Sequence, residues 1–404
     1  MKIRVGVLYG GKTTEHEVSI ITAVQAMGFL NTDKYEVIPM YLTKENEMYT
    51  GAPLKEMDVY KEPELLKRYC KNVVCYNKDG ALVLQNKNGL FKKTIATVDI
   101  VIPAVHGYNM EDGNIQGMLE TFGIPYTGSD IYGCTVGQDK VFQKQILEAE
   151  NIPVTKYIWF YDNEYFEDEA KILADAKKIG YPLIVKPARQ GSSIGISVAK
   201  DEEALKEAII EATKYDDKIL VEEVIENMTE LNCSVLGSNS YMETSAIEQV
   251  MGKDEILSFN DKYIGSGAKK GAAKKMGASK GMVSADRVIP ADIPEKLAKD
   301  IAETSKKAFR ALGASGVVRI DYLYDKKVKK YYINELNTIP GCLSFYLWMP
   351  LNKEYDELLD DMINIAVKRF KKKLKKTTIF ESNILSTFDG TKGTKGMKGK
   401  LRHR

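Results

Sequence analysis

Residues 317–341 contain the pattern that most constrains the fold of this chain. Their sequence is VVRIDYLYDKKVKKYYINELNTIPG, in which apolar and polar residues alternate on both sides of a charged segment at 325–330. Alternation with a period of two is typical of half-buried β-strands, so the segment predicts two strands joined by a turn. One face of these strands would then carry four polar side chains: Arg319, Asp321, Glu335 and Asn337.

The oxygen-bearing members of this face are suited to a hard divalent cation. Asp321, Glu335 and Asn337 offer carboxylate and amide oxygens, which Mg²⁺ prefers together with nucleotide phosphates. On spacing alone, the solvated face of an ordinary hairpin is the alternative interpretation. The pattern therefore predicts a metal-bound nucleotide, and phosphate-binding segments elsewhere in the chain would support that prediction.

Length and charge indicate the number of domains and argue against one class of protein. A chain of 404 residues is long enough for two or three domains. The formal net charge is +2, but the segment from residue 387 onward carries +5, which leaves −3 on the remainder. A protein that coats nucleic acid carries its positive charge on the folded body, so that class is not favoured.

Cysteine usage and hydropathy predict a cytoplasmic protein. The five cysteines are odd in number and scattered, without the paired spacing of a zinc site, which is typical of reduced thiols. The sequence contains no run of about 18 apolar residues, which is the length that a membrane-spanning helix requires. Residues 1–11 lead directly into a predicted strand instead of a secretory signal.

The chain divides into three predicted domains, of which the first is α/β and the other two are α+β, and a tail. Strands and helices alternate over residues 1–130, which predicts a parallel, helix-flanked sheet with an elaboration at 43–97. Residues 131–222 form a central domain with a helix at 138–150 and a buried strand at 182–186. Residues 223–376 form a third domain that ends in an amphipathic helix. Residues 377–404 are a basic extension whose composition is typical of disorder.

Residues 6–13, GVLYGGKT, match the P-loop pattern formally. That motif requires its four middle residues to form a loop around phosphate, whereas here Val7, Leu8 and Tyr9 continue the first strand. We therefore interpret the segment as a strand that ends at a helix N-terminus. Thr13, Thr14 and Glu15 would then be able to reach a small ligand, and a simple helix cap is the alternative.

Residues 186–195, KPARQGSSIG, are a better candidate for phosphate binding. Lys186 ends a buried strand, and the amides and hydroxyls of Ser192 and Ser193 in the following turn can close over phosphate oxygens. Lys140, at the start of a helix, would be a second cation for the same phosphates. A plain Gly-Ser loop and a surface lysine are the alternatives.

Two further segments allow more than one interpretation. Residues 252–281 include Lys262 and Tyr263 and are rich in Gly, Lys, Ala and Ser, as expected of a linker or of a lid over a reactive intermediate. His106 follows a predicted strand at 98–104, where open parallel sheets bind ligands, although a structural histidine is equally compatible. A histidine-dependent hydrolase is poorly supported, because no GxSxG motif is present.

Six segments in order across residues 9–341 together resemble one family. They are YGGKTTEHEVS, HGYNMEDGNIQGMLETFGIPYTGS, KPARQGSSIGIS, NDKY, RIDY and NELNTIPG. This combination is similar to the D-alanine–D-alanine ligases of the ATP-grasp superfamily. The resemblance implies an ATP-grasp fold with three domains, the first built on a parallel, helix-flanked sheet. ATP would phosphorylate the carboxylate of one D-alanine, and the amine of a second would attack the acyl phosphate, to supply peptidoglycan synthesis.

The resemblance also implies roles for individual residues. Glu15 would hold the ammonium group of the first D-alanine, in a hydrogen-bonded group with Ser192 and Tyr263. The ATP-binding residues would be Lys140, Lys186, Ser193, Glu222, Glu223, Ile225, Glu230 and Lys262. Asp321, Glu335 and Asn337 would hold two Mg²⁺ or Mn²⁺ ions. Arg319 and the amide of Gly341 would stabilise the oxyanion, His106 would lie near the amino acids, and the protein would be a homodimer.

The chain departs from the family pattern after Gly341. Where these ligases usually have a small serine that helps to hold the second substrate, this chain has Phe345-Tyr346-Leu347-Trp348, so Tyr346 and Leu347 are candidate substrate contacts. D-serine and D-lactate therefore stay open as acceptors beside D-alanine, although Tyr263 favours an amine. A non-catalytic nucleotide-binding protein is the remaining alternative. The spacing between Ile225 and Glu230 is also slightly longer than usual.

Overall fold

Three β-sheets form the framework of the chain. The computed structural model describes residues 2–89, 92–251, 286–379 and 381–384. The predicted lid, with Lys262 and Tyr263, and residues 385–404 of the basic extension lie outside these ranges. By its internal contacts the chain divides into residues 1–367 and residues 368–404. None of the helices in the described ranges combines the length and hydropathy that crossing a membrane requires.

The first sheet has seven strands in the order β6-β5-β4-β3-β2-β1-β7. Its strands are β1 (Ile3–Gly10), β2 (Tyr35–Leu42), β3 (Met48–Thr50), β4 (Lys71–Lys78), β5 (Ala81–Asn86), β6 (Thr94–Val98) and β7 (Ile100–Pro103). The expected parallel pairing is present between β1 and both β2 and β7. The elaboration at 43–97 instead adds four antiparallel strands to the same sheet. The connections from β2 to β3, from β4 to β5 and from β5 to β6 are too short for a parallel crossover.

Strand β1 lies in the centre of this sheet and is almost completely buried. Val7, Leu8 and Tyr9 have no exposed surface. The strand continues to Gly10, so residues 6–10 are not a phosphate loop, in agreement with the sequence interpretation. Helix α1 (His16–Phe29) begins just after the strand, which places Glu15 at the carboxyl edge of the sheet. The other helices of this region are α2 (Pro63–Tyr69) and α3 (Asn114–Phe122).

The second sheet is antiparallel, with the strand order β10-β9-β11-β8. It consists of β8 (Tyr157–Tyr161), β9 (Leu183–Pro187), β10 (Ser197–Ala199) and β11 (Lys218–Glu223). Helices α6 (Asp162–Glu167), α7 (Glu169–Ile179) and α8 (Glu202–Ala212) accompany it, and α7 and α8 contribute buried residues to its apolar core. Lys186 is near the end of β9, so the loop at 188–196 starts from a fixed position.

The helix predicted at 138–150 is confirmed as α5 (Lys140–Ala149). A further helix, α4 (Ile131–Gln138), precedes it, and Asp139 separates the two. Asp139 has an extended backbone conformation, and its side chain accepts hydrogen bonds from the amides of Val141 and Phe142. This is the geometry of an N-cap, which begins a new helix. Lys140 therefore occupies the first position of α5.

The third sheet is also antiparallel, in the order β14-β13-β12-β15-β16. Its strands are β12 (Met228–Ser238), β13 (Tyr241–Met251), β14 (Asp286–Val288), β15 (Gly316–Asp325) and β16 (Lys330–Asn337). The amphipathic helix α9 (Glu295–Ala311) packs on it through buried Ile301, Ala308 and Phe309. Helix α10 (Tyr355–Leu374) follows, and its apolar residues up to Ala366 belong to the core of the first sheet.

Candidate active site

The hairpin of β15 and β16 brings together the polar residues that its sequence pattern indicated. Arg319 pairs with Asn337 across the two strands, and Asp321 pairs with Glu335. The guanidinium of Arg319 donates from Nε and Nη2 to the two carboxylate oxygens of Asp321, at 2.6 and 2.7 Å. The amide of Asn337 donates to Asp321 Oδ2 at 3.0 Å. The four side chains therefore share one face.

Burial makes the charge of Arg319 dependent on this carboxylate. Burial on its own opposes the charged form, but Asp321 outweighs it and raises the pKa of the Arg319 guanidinium. A guanidinium held by a carboxylate in a fixed, bidentate geometry is a preorganised donor. Arg319 is therefore a cation whose orientation is set before any substrate binds.

A small polar cavity of about 110 Å³ adjoins this face. Of the predicted residues, Glu15, His106, Lys140, Ser192, Glu230, Arg319, Glu335, Asn337, Gly341 and Tyr346 line it. Leu347, in contrast, is completely buried in the apolar core of the first sheet and lines neither of the two cavities that make up the site. The reason is that the short helical segment Gly341–Leu347 turns its apolar side chains inward.

Glu15 is a buried carboxylate at one end of the cavity. The hydroxyl of Ser192 donates to Glu15 Oε1. Gly191 permits this approach, because a Cβ there would lie 2.4 Å from Glu15 Oε2. Burial raises the pKa of Glu15, and the hydrogen bond from Ser192 and the proximity of His106 offset part of that effect. An ammonium group is the ligand that would compensate such a buried carboxylate.

His106 is also held in place at this end of the cavity. Its Nε2 lies 2.8 Å from the hydroxyl of Thr22, and its Nδ1 lies 3.9 Å from Glu111. Thr22 in turn accepts a hydrogen bond from the backbone amide of Cys342, which follows Gly341. Thr22 therefore connects helix α1 both to His106 and to the segment that carries the predicted oxyanion amide.

A second, larger cavity of about 770 Å³ lies between the second and third sheets. The predicted ATP-binding residues within the described ranges all line it: Lys140, Lys186, Ser193, Glu222, Glu223, Ile225 and Glu230. Apolar side chains such as Ile184, Val198 and Leu323 contribute to its walls. A cleft with apolar walls and cations at one end is suited to a base and its phosphates.

Glu222 anchors two lysines at the cationic end of this cleft. It forms ion pairs with Lys144 and with Lys186, the latter at 2.5 Å, and it accepts a hydrogen bond from Thr155 at 2.9 Å. Burial alone would raise the pKa of Glu222, but the two ammonium groups outweigh it and lower the pKa to about 2. Lys186 is therefore a fixed cation, and its Nζ also donates to Asn334 at 2.9 Å.

Lys140 lies where the two cavities meet. Its Nζ donates to the carbonyl of Gln190 at 2.7 Å and lies 3.2 Å from Glu335 Oε2. Both cavities are lined by Lys140, Gly191, Glu230 and Glu335. A group bound in the larger cavity can therefore reach one bound in the smaller cavity at this point.

The loop after β9 is tied to the second sheet by Arg189. Its Nε donates to Asp216 Oδ1 at 3.0 Å, its backbone amide donates to Asp216 Oδ2 at 2.7 Å, and it also pairs with Asp217. Ser192 and Ser193 both have positive φ angles, which non-glycine residues seldom adopt. The anchor at Arg189 and the strained turn together hold the two hydroxyls toward the cavities.

Several residues of the site were not predicted from the sequence. They are Thr22, Glu111, Lys144, Asn232, Glu248, Arg287 and Asn334. Asn334 is displaced by an irregularity in the pairing of β15 and β16 next to Asp321, and sequence alternation does not reveal such bulges. Lys144 lies four residues after Lys140 on one helix face, and that spacing was the one available signal.

The donor set at Asp321 fits a hard cation. It consists of two carboxylates and one amide, and no cluster of three acidic, histidine or cysteine ligands occurs in the part of the chain that the structure describes. A cation here would therefore take oxygens from Asp321, Glu335 and Asn337 and complete its shell with phosphate or water. That composition matches the preference of Mg²⁺.

Comparisons with known proteins identify relatives of this chain over most of its length. Residues 4–129 match the family model described as D-ala D-ala ligase N-terminus, and residues 146–364 match the model described as D-ala D-ala ligase C-terminus. A D-alanine–D-alanine ligase from Thermosipho melanesiensis is 38% identical over 385 residues, which cover 95% of this chain and 98% of that protein.

Two solved structures are similar over nearly the whole chain. The D-alanine-D-alanine ligase from Coxiella burnetii superposes with a TM-score of 0.75 at 26% identity and covers 93% of this chain and 96% of its own. The VanG D-Ala:D-Ser ligase from Enterococcus faecalis has a TM-score of 0.73 at 26% identity, with coverages of 91% and 100%. The chain therefore belongs to the D-alanine–D-alanine ligase family, and it is an ATP-dependent ligase with the ATP-grasp fold that forms D-alanyl-D-alanine for peptidoglycan synthesis.

Proposed function

We propose that the small cavity holds the two D-alanines, that the larger cavity holds ATP, and that the phosphoryl group passes between them at Glu335. The observation that carries this proposal is the shared wall of Lys140, Gly191, Glu230 and Glu335. A phosphoryl donor and its acceptor carboxylate have to meet in line, and catalysis of this transfer consists mainly of positioning and charge neutralisation.

In the first step, a carboxylate oxygen of the first D-alanine attacks the terminal phosphorus of ATP, and ADP leaves. Glu15 holds the ammonium group of this D-alanine, because its buried carboxylate lacks a full positive partner among the described side chains. Lys140 and Lys186 contact the phosphates, and Glu222 holds Lys186 in place. Bound Mg²⁺, held by Asp321, Glu335 and Asn337, would neutralise the charge on the phosphates.

In the second step, the amine of the second D-alanine attacks the carbonyl carbon of the acyl phosphate. The tetrahedral intermediate carries an oxyanion, its nitrogen releases a proton to solvent, and collapse of the intermediate expels phosphate and leaves the amide bond. Arg319 and the backbone amide of Gly341 both line the small cavity and are the proposed oxyanion donors. Donors that are fixed in advance each contribute roughly 3 kcal/mol to such a transition state.

The finer features of the protein are also part of this proposal. Residues 1–130, 131–222 and 223–376 would be three domains, each built on one of the three sheets, and the active site would lie where they meet. A homodimer and a cytoplasmic location are expected of the family, and the scattered cysteines, without the paired spacing of a zinc site, are compatible with a reducing compartment. Light scattering of the purified protein would test the dimer.

The deciding experiment measures ADP release with D-alanine alone, then with D-alanine plus D-serine or D-lactate, followed by the mass of each product. We expect turnover with D-alanine alone and D-alanyl-D-alanine as the main product in every mixture. A dominant mixed product would show that the acceptor site selects D-serine or D-lactate instead. Absence of turnover with all three would contradict the proposal and favour a non-catalytic nucleotide-binding protein.

A further inference from the structure

A second arginine, outside the six motif segments that resemble the family, faces the small cavity. Arg287 lies on β14, opposite Val250 of β13, which places it diagonally across from Glu248. Its Nη1 lies 2.7 Å from Glu248 Oε1, and its guanidinium carbon lies 5.2 Å from the centre of the Tyr346 ring. Arg287, Glu248 and Tyr346 all line the cavity, and we call these three residues the acceptor wall.

Glu248 organises the acceptor wall. Its side chain is almost completely buried, and its Oε2 accepts hydrogen bonds from Asn232 at 3.0 Å and from the Tyr346 hydroxyl at 3.3 Å. The ring of Tyr346 and the carboxylate of Glu248 therefore fix the guanidinium of Arg287 from two directions. Arginine stacks on aromatic rings in this way and keeps the N–H donors in the plane of its guanidinium available.

Arg287 retains donor capacity that its neighbours do not use. Its Nε is buried, and no described residue accepts a hydrogen bond from it. Arg319, in contrast, already directs its Nε and Nη2 to Asp321. A buried donor without a partner is unfavourable, and a ligand that accepts from it relieves that cost.

The position of Arg287 excludes the nucleotide as that ligand. Arg287 and Glu248 line the small cavity and are absent from the walls of the larger one. Arg287 contacts Glu248 and the ring of Tyr346 and lies close enough to Arg319 to be affected by its charge, whereas Glu15 contacts Ser192. Arg287 therefore belongs to the part of the cavity next to the oxyanion donor and away from the ammonium site of the first amino acid.

We propose that Arg287 binds the carboxylate of the acceptor amino acid, and that Tyr346 and Glu248 position it for that contact. This inference rests on the proposed function, in which the acceptor amine attacks next to Arg319. In an α-amino acid the carboxylate is one carbon away from the amine, so it falls beside Arg319 on the acceptor wall. After Gly341 this chain has bulky aromatic residues in place of the small serine that is usual in these ligases. Arg287 thereby takes over the role of that serine.

The test compares two acceptors that compete for the same acyl phosphate. D-alanine carries the carboxylate, whereas hydroxylamine is an amine without one and yields D-alanyl hydroxamate with release of phosphate. With both present at fixed concentrations, the ratio of dipeptide to hydroxamate measures recognition of the acceptor carboxylate. We expect Arg287→Gln to lower this ratio by at least about tenfold, since a hydrogen bond to a charged group is lost.

Control variants separate this role from a structural one. Arg287→Gln combined with Glu248→Gln removes both charges of the pair and should lower the ratio equally, even if the single variant folds poorly. Arg310→Gln changes an exposed arginine of α9 and should leave the ratio unchanged. An unchanged ratio in both Arg287 variants would overturn the assignment, while wild-type protein that forms neither product would overturn the proposed function beneath it.

Discussion

Arg319 and Asp321 are two residues apart on β15 and are joined by two hydrogen bonds of 2.6 and 2.7 Å. Asn337 adds a third hydrogen bond to the same carboxylate. The side chain of Asp321 therefore orients Arg319, the proposed oxyanion donor, and also belongs to the proposed metal site. Residues i and i+2 of a strand point to the same face, so the coupling of these two roles follows from the strand itself.

Asp321→Asn should abolish most of the activity and leave the fold intact. Asparagine retains an acceptor for Arg319 but loses the charge that a metal ion and the guanidinium both require. We expect ADP release at saturating D-alanine and Mg²⁺ to fall at least about a hundredfold, and Glu335→Gln should have a similar effect. Asp300→Asn, at an exposed position of α9, is the matched control. Unchanged turnover in both site variants would refute the metal assignment.

Glu222→Gln should impair both stability and ATP binding. The variant leaves Lys144 and Lys186 without their shared carboxylate in a buried position, which costs about 3–5 kcal/mol in comparable pairs. Urea unfolding at neutral pH measures this loss, and initial rates at varied ATP should give a higher KM for ATP. Equal stability of variant and wild type would mean that the ion pairs of Glu222 with Lys144 and Lys186 do not stabilise the fold.

The contribution of Glu222 should also depend on pH in a defined direction. The folded state holds its pKa at about 2, below the ordinary value of 4.5. Its stabilising effect is therefore complete above pH 4.5 and is lost as the pH falls toward 2. The difference in unfolding free energy between wild type and Glu222→Gln should narrow between about pH 5 and pH 3. A difference that stays constant over this interval would contradict the shift.

Glu15→Gln should stabilise the protein while it weakens substrate binding. Burial raises the pKa of Glu15 in the folded state, so the ionised form opposes folding, and the penalty grows as the pH rises through that pKa. The variant should therefore unfold at a higher temperature than wild type at pH 8, and the gain should shrink at lower pH. The KM for the first D-alanine should rise, because the ammonium loses its counterion. A lower unfolding temperature at pH 8 would contradict this account.

Arg189→Lys should loosen the loop that carries Ser192 and Ser193. Asp216 raises the pKa of Arg189, and its two oxygens receive the guanidinium and the backbone amide of that residue. A lysine keeps the charge but has no planar fork, so the loop should lose its fixed start. We expect the KM for ATP to rise by about tenfold or less, with kcat affected little. Lys214→Ala, at an exposed ion pair, is the control and should behave as wild type.

Local patterns predicted the elements that carry the chemistry. The alternation in residues 317–341 led to β15 and β16, and it placed Arg319, Asp321, Glu335 and Asn337 on one face as the structure has them. The strand character of residues 6–10 likewise excluded a P-loop. Both results depend on side chains that are close in sequence, for which periodicity is sufficient.

Contacts between distant segments were the part that local patterns did not reveal. Arg287 and Tyr346 are far apart in the chain, and neither has a local signal that pairs it with Glu248. The antiparallel strands of the elaboration and the break at Asp139 depend on short connections and a cap, which the apolar period does not record. Lys144 likewise has no local signal that pairs it with Glu222, which lies on a separate strand.

The sequence by itself determined the family and the shared strand face of Arg319, Asp321, Glu335 and Asn337, because both follow from residue order and local periodicity. The tertiary structure decided which charges are buried together: Lys144 and Lys186 on Glu222, Arg319 on Asp321, and Arg287 on Glu248. The physical reason is that the energy of a charge depends on its burial and its partners. Those partners come from separate strands and helices, and only the folded chain brings them within hydrogen-bonding distance.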